Sequence, residues 1–494
     1  MKLSEIMSYV DTQFSGEDID IENICDDSRN VTEGSLFVCI KGDNFDGHGF
    51  INDAVKRGAV AIIIEHDVSC KSNVPLIKVR NTRLALSMAL KAWYRDPGKN
   101  IKVIAVTGTN GKTSTVSIMS EIFRAAGYKV GVIGTLSCET DSGKIDISES
   151  GTHSFTTPDQ IRLYRAISKM ADEGIEYLFM EASSHALSQY RLDGIDIYLG
   201  IFTNLSVDHL DFHENMERYF FAKSRLFDIS KMSLFNIDDK YGRVLYDTFC
   251  DCYSYGKHES ADFKASDIDD YGVDGFEYRA TGKFGEIDVY SRIPGRFTVY
   301  NTLAAVSGAI LCGIDKSIIS RAISEFSGVP GRMQKLDLSG AAEFDVFIDY
   351  AHTPDALESL ILSVREFRKS EQRIITLFGC GGERDRSKRK EMGRIATKLS
   401  DFTVITSDNS RNESTDNIIR DIMRGIDLEK AYAVIKNRKD AILYALNIAK
   451  KGDIILLCGK GHEKYEIDDR GKHYFSEAEI VYSAVFGDNY KGTV

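Results

Sequence analysis

The segment Gly108-Thr109-Asn110-Gly111-Lys112-Thr113 constrains this chain more than any other feature. It follows the apolar run IKVIAVTG (101–108) and precedes TSTVSIMSEIFRAAG, in which Val116, Met119, Phe123 and Ala126 share one helical face. A strand that turns through glycines straight into a helix is a phosphate cradle. Glycines let backbone N–H groups point inward, the helix N-terminus adds positive potential, and the lysine and hydroxyl suit β/γ-phosphate and Mg²⁺. The full Walker spacing asks for glycine at 106, where this chain has Val106, so the loop is a shortened variant. Gly108, Thr109, Asn110, Gly111, Lys112 and Thr113 are the candidate ATP-binding residues, and Gly127 reads as the C-cap of the helix.

Such a loop requires a parallel sheet, and the rest of the chain supplies the rhythm for it. Strand-like runs at LFVCIKG (36–42), AVAIIIE (59–65), YLFME (177–181), IYLGIFTN (197–204), DVFIDYA, RIITLFG, FTVITSD and DIILLCGK alternate with helical segments. The helical segments include GFINDAVKRGA (49–59), NTRLALSMALKAWYRD (81–96), one from Pro354 and one after Lys388. Residues 260–293 alternate polar and apolar between glycines and read as a small antiparallel insert. At about 100–200 residues per domain, 494 residues predict about three α/β domains. Boundaries are expected at 1–98, 99–332 and 333–494, the first at Asp96-Pro97-Gly98, where proline stops the preceding helix.

Composition narrows the function. A net charge of −12 repels polyanions on average, so nucleic acid is not an expected partner, even with five bases in GERDRSKRK (382–390). The apolar run AVAIII (59–64) is far shorter than the ~18–20 residues of a membrane span, and MKLSEIMSYV does not read as an export signal. Nine scattered cysteines without a CxxC pair suggest reduced thiols in a cytoplasm. The chain is expected to act as a monomer.

Polar chemistry gathers at strand ends. TNLSVDHLDFH (203–213) clusters Asp208, His209, Asp211 and His213, which suit Mg²⁺ or a phosphate-bound water, although Asp211 and His213 also fit a helix-capping role. Glu181 ends a buried strand, where a carboxylate is costly unless paired or metal-bound. GRMQ (331–334) and DYAHTPDAL (349–357) flank the expected hinge, with Asp349 ending another strand.

GTNGKT, EASSHAL, TNLSVDHLDFH, GRFTVYN (295–301), GRMQ, DYAHTPDAL, GCGGERD and GKGHE occur in the order found in Mur ligases, and the chain resembles that family over all three blocks. The resemblance implies an ATP-dependent amide ligase that adds a diamino acid to UDP-N-acetylmuramoyl-L-alanyl-D-glutamate through an acyl phosphate. It implies Lys112, Glu181, His209 and Lys223 as catalytic residues, with Lys223 carbamylated by CO2. His209 and the carbamate would share one Mg²⁺, and Thr113 and Glu181 would serve another. Asn301, Arg332 and Asp349 would hold the adenosine. Ser28 of DDSR and Asp43, Asn44 and Phe45 would meet the uridine end. The sugar-peptide would meet Thr156, Thr157, Ser183, Gln189 and Arg191. For the incoming amino acid the resemblance implies Arg384, the loop Asp408-Asn409-Ser410-Arg411, Gly459 and Glu463.

Members that add meso-diaminopimelate read DNPR where this chain reads DNSR. Arg411 is retained, and a guanidinium suits the distal carboxylate that L-lysine lacks. Ser410 in place of proline frees a fixed φ. Meso-diaminopimelate is the expected nucleophile, with L-lysine the alternative. Folylpolyglutamate synthetases share the ATPase core but lack the uridine block. A P-loop ATPase switch, from another class, would hydrolyse ATP without an amine acceptor.

Overall fold

The strand Lys102–Thr107 lies between Tyr177–Glu181 and Ile197–Phe202 in an eleven-stranded sheet. The three strands are parallel, with Val106 opposite both Glu181 and Ile201. The chain builds one side of this centre and then crosses to the other, so the ends of these strands open a crevice at a topological switch point. The computed structural model describes residues 1–12, 18–42, 45–68, 73–146, 156–338 and 340–487.

Alternation along the buried strands explains the two faces. Val103, Ala105, Leu178, Met180 and Phe202 pack toward helix Gln160–Asp172 and the N-terminal layer, while Ile104, Val106, Phe179 and Ile201 meet helices Lys112–Ala125 and Arg296–Leu311. Helix Lys112–Ala125 ends one residue earlier than expected, at the C-cap Ala126, with the glycine just beyond it. Gly127, at φ +87°, donates to Arg124 O, and Tyr128 N donates to Phe123 O.

The N-terminal sheet is four parallel strands, Asn23–Cys25, Ser35–Val38, Ala59–Ile64 and Leu76–Lys78. The helix expected at 49–59 is a 3-10 turn, Gly47–Phe50, followed by Ile51–Lys56. The antiparallel expectation for 260–293 holds within the segment, but its setting differs. Phe263–Asp270, Phe276–Gly282 and Ile287–Ser291 are antiparallel to one another, but the first pairs in parallel with Cys252–Gly256, so they extend the central sheet and are not a separate insert.

The C-terminal sheet orders Gln334–Lys335, Asp345–Asp349, Ile454–Cys458, Ile374–Phe378, Phe402–Ile405 and Tyr432–Val434, parallel except at the first pair. Parallel strands share one carboxyl edge, and that edge gathers DYAHTP, GKGHE, GCGGERD and DNSR. A hairpin, Tyr465–Asp468 with Gly471–Tyr474, covers the last of these and was not expected from the sequence. Among the described residues no helix is long and apolar enough to cross a membrane.

Candidate active site

The phosphate loop is tied to the end of the neighbouring strand. Thr109 N donates to Asn204 O at 2.8 Å, Asn110 N to Asn204 Oδ1 at 3.0 Å, and Thr203 Oγ1 to Asn110 O at 2.6 Å. Gly111 is left-handed (φ +86°), and a Cβ there would stand 2.4 Å from Asn301 Oδ1. The loop therefore seats directly on helix Arg296–Leu311. Gly111→Ala should lose about 1–2 kcal/mol to backbone strain alone and raise KM for ATP at least about tenfold. Titrating the variant with a fluorescent ATP analogue checks this, and unchanged affinity would mean the contact yields.

Glu181 is buried but fully engaged. Thr113 Oγ1 donates to both carboxylate oxygens at 3.1 Å, and Thr135 donates from N at 2.8 Å and from Oγ1 at 3.2 Å. Gly134 leaves room for that carboxylate, since a Cβ there would meet Oε1 at 2.6 Å. A hydroxyl and a carboxylate at the start of the phosphate-loop helix form a hard oxygen donor set that fits Mg²⁺.

Two lysines converge on one carbonyl. Lys112 Nζ donates to the carbonyls of Gly108 and Thr109, each at 2.8 Å, and Lys223 Nζ donates to Gly108 O at 2.8 Å. Lys223 lies on helix Met216–Asp228, almost fully buried, its amine 4.8 Å from the Tyr219 ring centroid. Burial pushes both amines below the ordinary lysine range, and for Lys223 the adjacent Lys112 charge pushes further, against Asp208.

Tyr219 joins the parts of this site. Its hydroxyl is 3.2 Å from Thr109 Oγ1, and its ring stacks on His213 at 4.9 Å and meets His209 edge-on at 6.2 Å. His209 is left-handed (φ +53°), with Nε2 3.4 Å from Asp208 Oδ2. His213 is buried, with Nε2 2.9 Å from Ser184 Oγ, so it serves packing rather than a cap. His209 and Lys223 thus both lie beside the Tyr219 ring.

Asn301, Arg332 and Met333 line a small cavity with Phe297, Ile118 and Phe326 between the central and C-terminal sheets. Asp349 accepts from Met333 N at 2.7 Å and Ala351 N at 2.8 Å, while burial raises its pKa against the Arg332 charge. The Arg332 guanidinium lies over Tyr350 at 4.8 Å, and His462 packs on the same ring at 5.3 Å. Arg332 Nε and His462 Nδ1 are buried without a hydrogen-bond partner among the described residues, as expected of groups that complete themselves on a ligand. A Cβ on Gly331 would stand 2.1 Å from His462 N, so the hinge motif and GKGHE touch backbone to backbone.

On the N-terminal side Ser28 opens a 3-10 turn capped by Asp27, and Phe45 is 75% exposed. Asp43 and Asn44 lie outside the described residues. Thr156 Oγ1 accepts from Thr135 Oγ1 at 3.1 Å, and Thr157 Oγ1 donates to Glu181 O at 2.7 Å and accepts from Ser183 N at 3.0 Å. Arg191 donates to Thr157 O at 2.6 Å and to Gln189 Oε1 at 2.7 Å. These residues brace one another around the end of the strand that carries Glu181.

In the C-terminal domain Asn409 is the hub. Its Nδ2 donates to Glu463 Oε2 at 2.8 Å, and its Oδ1 accepts from Lys460 Nζ and Ile467 N, each at 3.0 Å. Burial raises Asp408, but Lys460 and Arg438 outweigh it and hold the carboxyl below its ordinary range. Burial raises Glu463. Gly459 (φ +114°) backs Asp408, with Oδ2 2.9 Å from where a Cβ would be. Arg411 (φ +53°) spends Nη1 on Gly382 O at 2.9 Å and Asn409 O at 3.1 Å, while its Nε and Nη2 donate to nothing among the described residues. Arg384 is exposed on the facing loop. Of the remaining bases in 382–390, Lys388 donates to His352 O, Arg386 pairs with Glu413, and Arg389 is buried against Glu413 and Asp421.

Sequence reasoning missed Thr135, Tyr219, Lys460, Arg389 and Glu413. Lys460 stands inside GKGHE and Tyr219 one helical turn before Lys223, so spacing could have raised those two. Thr135 and the Arg389–Glu413 pair depend on contacts distant in sequence.

Three sequence-family models match: Mur ligase family, catalytic domain (residues 20–94), Mur ligase middle domain (106–309), and Mur ligase, glutamate ligase domain (331–461). The chain is 43% identical over 489 residues to the UDP-N-acetylmuramoyl-L-alanyl-D-glutamate--2,6-diaminopimelate ligase of Clostridioides difficile strain 630, covering 97% of this chain and 99% of that one. It is 42% identical over 493 residues to UDP-N-acetylmuramoyl-L-alanyl-D-glutamate--2,6-diaminopimelate ligase 1 of Clostridium acetobutylicum, covering 97% and 98%. A solved structure of a ligase of the same name superposes with a TM-score of 0.71 at 28% identity, covering 99% of this chain and 100% of that one.

Proposed function

The chain belongs to the Mur ligase family, and from that premise we propose that it joins meso-2,6-diaminopimelate to UDP-N-acetylmuramoyl-L-alanyl-D-glutamate in an ATP-dependent amide ligation. The observation that carries the choice of nucleophile is the Nε/Nη2 edge of Arg411, which has no partner among the described residues, is held by its own loop and suits a bidentate bond with a carboxylate. Relatives named for this ligation cover nearly the whole chain, which supports the same reading.

In the proposed reaction a carboxylate of the sugar-peptide attacks the γ-phosphorus of ATP, giving an acyl phosphate and ADP. The amine then attacks the acyl carbon, and the tetrahedral adduct expels phosphate. The phosphate loop and Lys112 cradle the triphosphate, and Asn301, Arg332 and Asp349 hold adenosine across the hinge, so binding ATP draws the domains together. Ser28, Asp43, Asn44 and Phe45 take the uridine end. Thr156, Thr157, Ser183, Gln189 and Arg191 take the sugar-peptide. Arg384, Asp408, Asn409, Ser410, Arg411, Gly459 and Glu463 take the amino acid. Mg²⁺, held by Thr113, Glu181, His209 and a carbamate on Lys223, would supply neutralising charge for the phosphates and the attacking carboxylate.

The carbamate reading comes from the family resemblance, and electrostatics supports it. Burial and the Lys112 charge depress the pKa of this amine and so favour its neutral form, which is the form that adds CO2 to give a carbamate and a proton. The product carries negative charge beside Lys112, replacing repulsion with attraction.

The domains of this reading are 1–98 for UDP-sugar, 99–332 for ATP and 333–494 for the amino acid. In this reading the enzyme acts as a monomer. The eight described cysteines are all unpaired, which supports a reducing cytoplasm.

Phosphate release with ATP, Mg²⁺ and the UDP-linked dipeptide tests the proposal, with meso-diaminopimelate and L-lysine offered in parallel. Turnover with diaminopimelate alone is expected. Preference for lysine would transfer the assignment to that amino acid, and ATP hydrolysis indifferent to any amine would favour a P-loop switch.

A further inference from the structure

Where the resembled family carries proline, this chain has Ser410, and loss of the ring releases φ in the loop that must aim Arg411. The loop is nevertheless held from below. Arg389, fully buried on helix Ser387–Leu399, meets both oxygens of Glu413 with Nη1 and Nη2 at 2.8 and 2.7 Å. Its Nη1 also reaches Asp421 Oδ2 at 3.1 Å and its Nη2 reaches Gly381 O at 3.2 Å.

Glu413 carries that anchor into two loops at once. Its Oε2 accepts from Glu383 N at 3.0 Å, and its own N donates to Ser410 O at 3.0 Å. Gly382 N donates to Asn409 O at 2.9 Å, and Arg411 Nη1 closes the ring on Gly382 O and Asn409 O. Arg411 and Glu383 are both left-handed, at φ +53° and +54°, conformations that non-glycine residues keep only where their surroundings enforce them.

Resting on the diaminopimelate reading, we propose that the Arg389–Glu413 pair is the positioning element that aims Arg411 at the distal carboxylate of the incoming amino acid, supplying by ionic anchoring the order that proline supplies elsewhere. Buried ion pairs contribute little net stability but fix geometry, and here both Nη groups of Arg389 are engaged while its Nε is buried without a partner among the described residues. The Arg389 hydrogen bonds hold the Glu413 carboxyl down at about 2, so the pair persists throughout the neutral range.

Glu413→Gln keeps the shape and removes the charge. It is expected to raise KM for meso-diaminopimelate about tenfold, leave KM for ATP and for the UDP-linked dipeptide within about twofold, and speed amide hydrogen exchange over 409–413. Adding Ser410→Pro to that variant is expected to recover most of the lost KM, a rescue that a merely destabilised domain would not show. Asp421→Asn touches the same arginine away from the loop and is expected to leave both readouts near wild type. Should Glu413→Gln fail to fold, Glu413→Asp, which keeps the charge but shortens the reach, carries the same expectation. Equal shifts in all three KM values, the same effect from Asp421→Asn, or unmoved exchange and KM would overturn the proposal. If the unaltered enzyme rejects diaminopimelate while exchange at 409–413 still responds to Glu413→Gln, the positioning stands and the substrate reading falls.

Discussion

Lys223→Ala is expected to lower kcat by about 10²–10³-fold while the protein still folds, the scale seen when one preorganised charge is removed from a reacting centre. The side chain is almost fully buried, and its amine shares the Gly108 carbonyl with Lys112. As an ammonium it would add repulsion where a triphosphate and a carboxylate must meet. As a carbamate it would add oxygens like those of Glu181. Truncation removes a group that is costly to bury, so the melting temperature should move by only a few degrees in about either direction. Small carboxylates such as formate should restore part of the rate to the variant and none to the unaltered enzyme. Depleting CO2 should slow the unaltered enzyme alone. Full activity in Lys223→Ala would remove the carbamate from the reaction.

Arg411→Ala should raise KM for meso-diaminopimelate by about 30–100-fold, corresponding to the roughly 2–3 kcal/mol of a charge-assisted hydrogen-bond pair. KM for the UDP-linked dipeptide should stay within about twofold, because among the described residues Arg411 hydrogen-bonds only within the C-terminal loops and to the covering hairpin, through Ile467 O. Arg411→Lys should fall between, since an ammonium keeps the charge but loses the planar fork. Steady-state kinetics with each substrate varied in turn checks this. Parallel rises for both substrates would make Arg411 a structural residue and leave the choice of diamino acid to another group.

Much of this was legible in one dimension. The strand–glycine–helix sequence around Gly108–Thr113 admits few folds, and the strands carrying Glu181 and Asp349 end where their apolar runs end. Short strands such as Asn23–Cys25 and Leu76–Lys78 escaped because three residues carry too little periodicity to read. Residues 260–293 read as antiparallel, but nothing local reveals that Phe263 pairs in parallel with Tyr255 and extends the central sheet. The Lys223 amine reads as a helix-surface lysine by pattern, and only packing buries it.

The phosphate loop, the three α/β blocks and the ordered motifs are written in residue order, because glycine turns, apolar periodicity and proline stops act over a few residues. Tertiary structure alone decided that Lys112 and Lys223 share one carbonyl, that Thr135 completes Glu181, and that Arg389 anchors Arg411 through Glu413. Those arrangements arise where carboxyl ends of parallel strands bring distant segments together. Burial there makes each charge depend on its neighbours, a dependence that residue order does not carry.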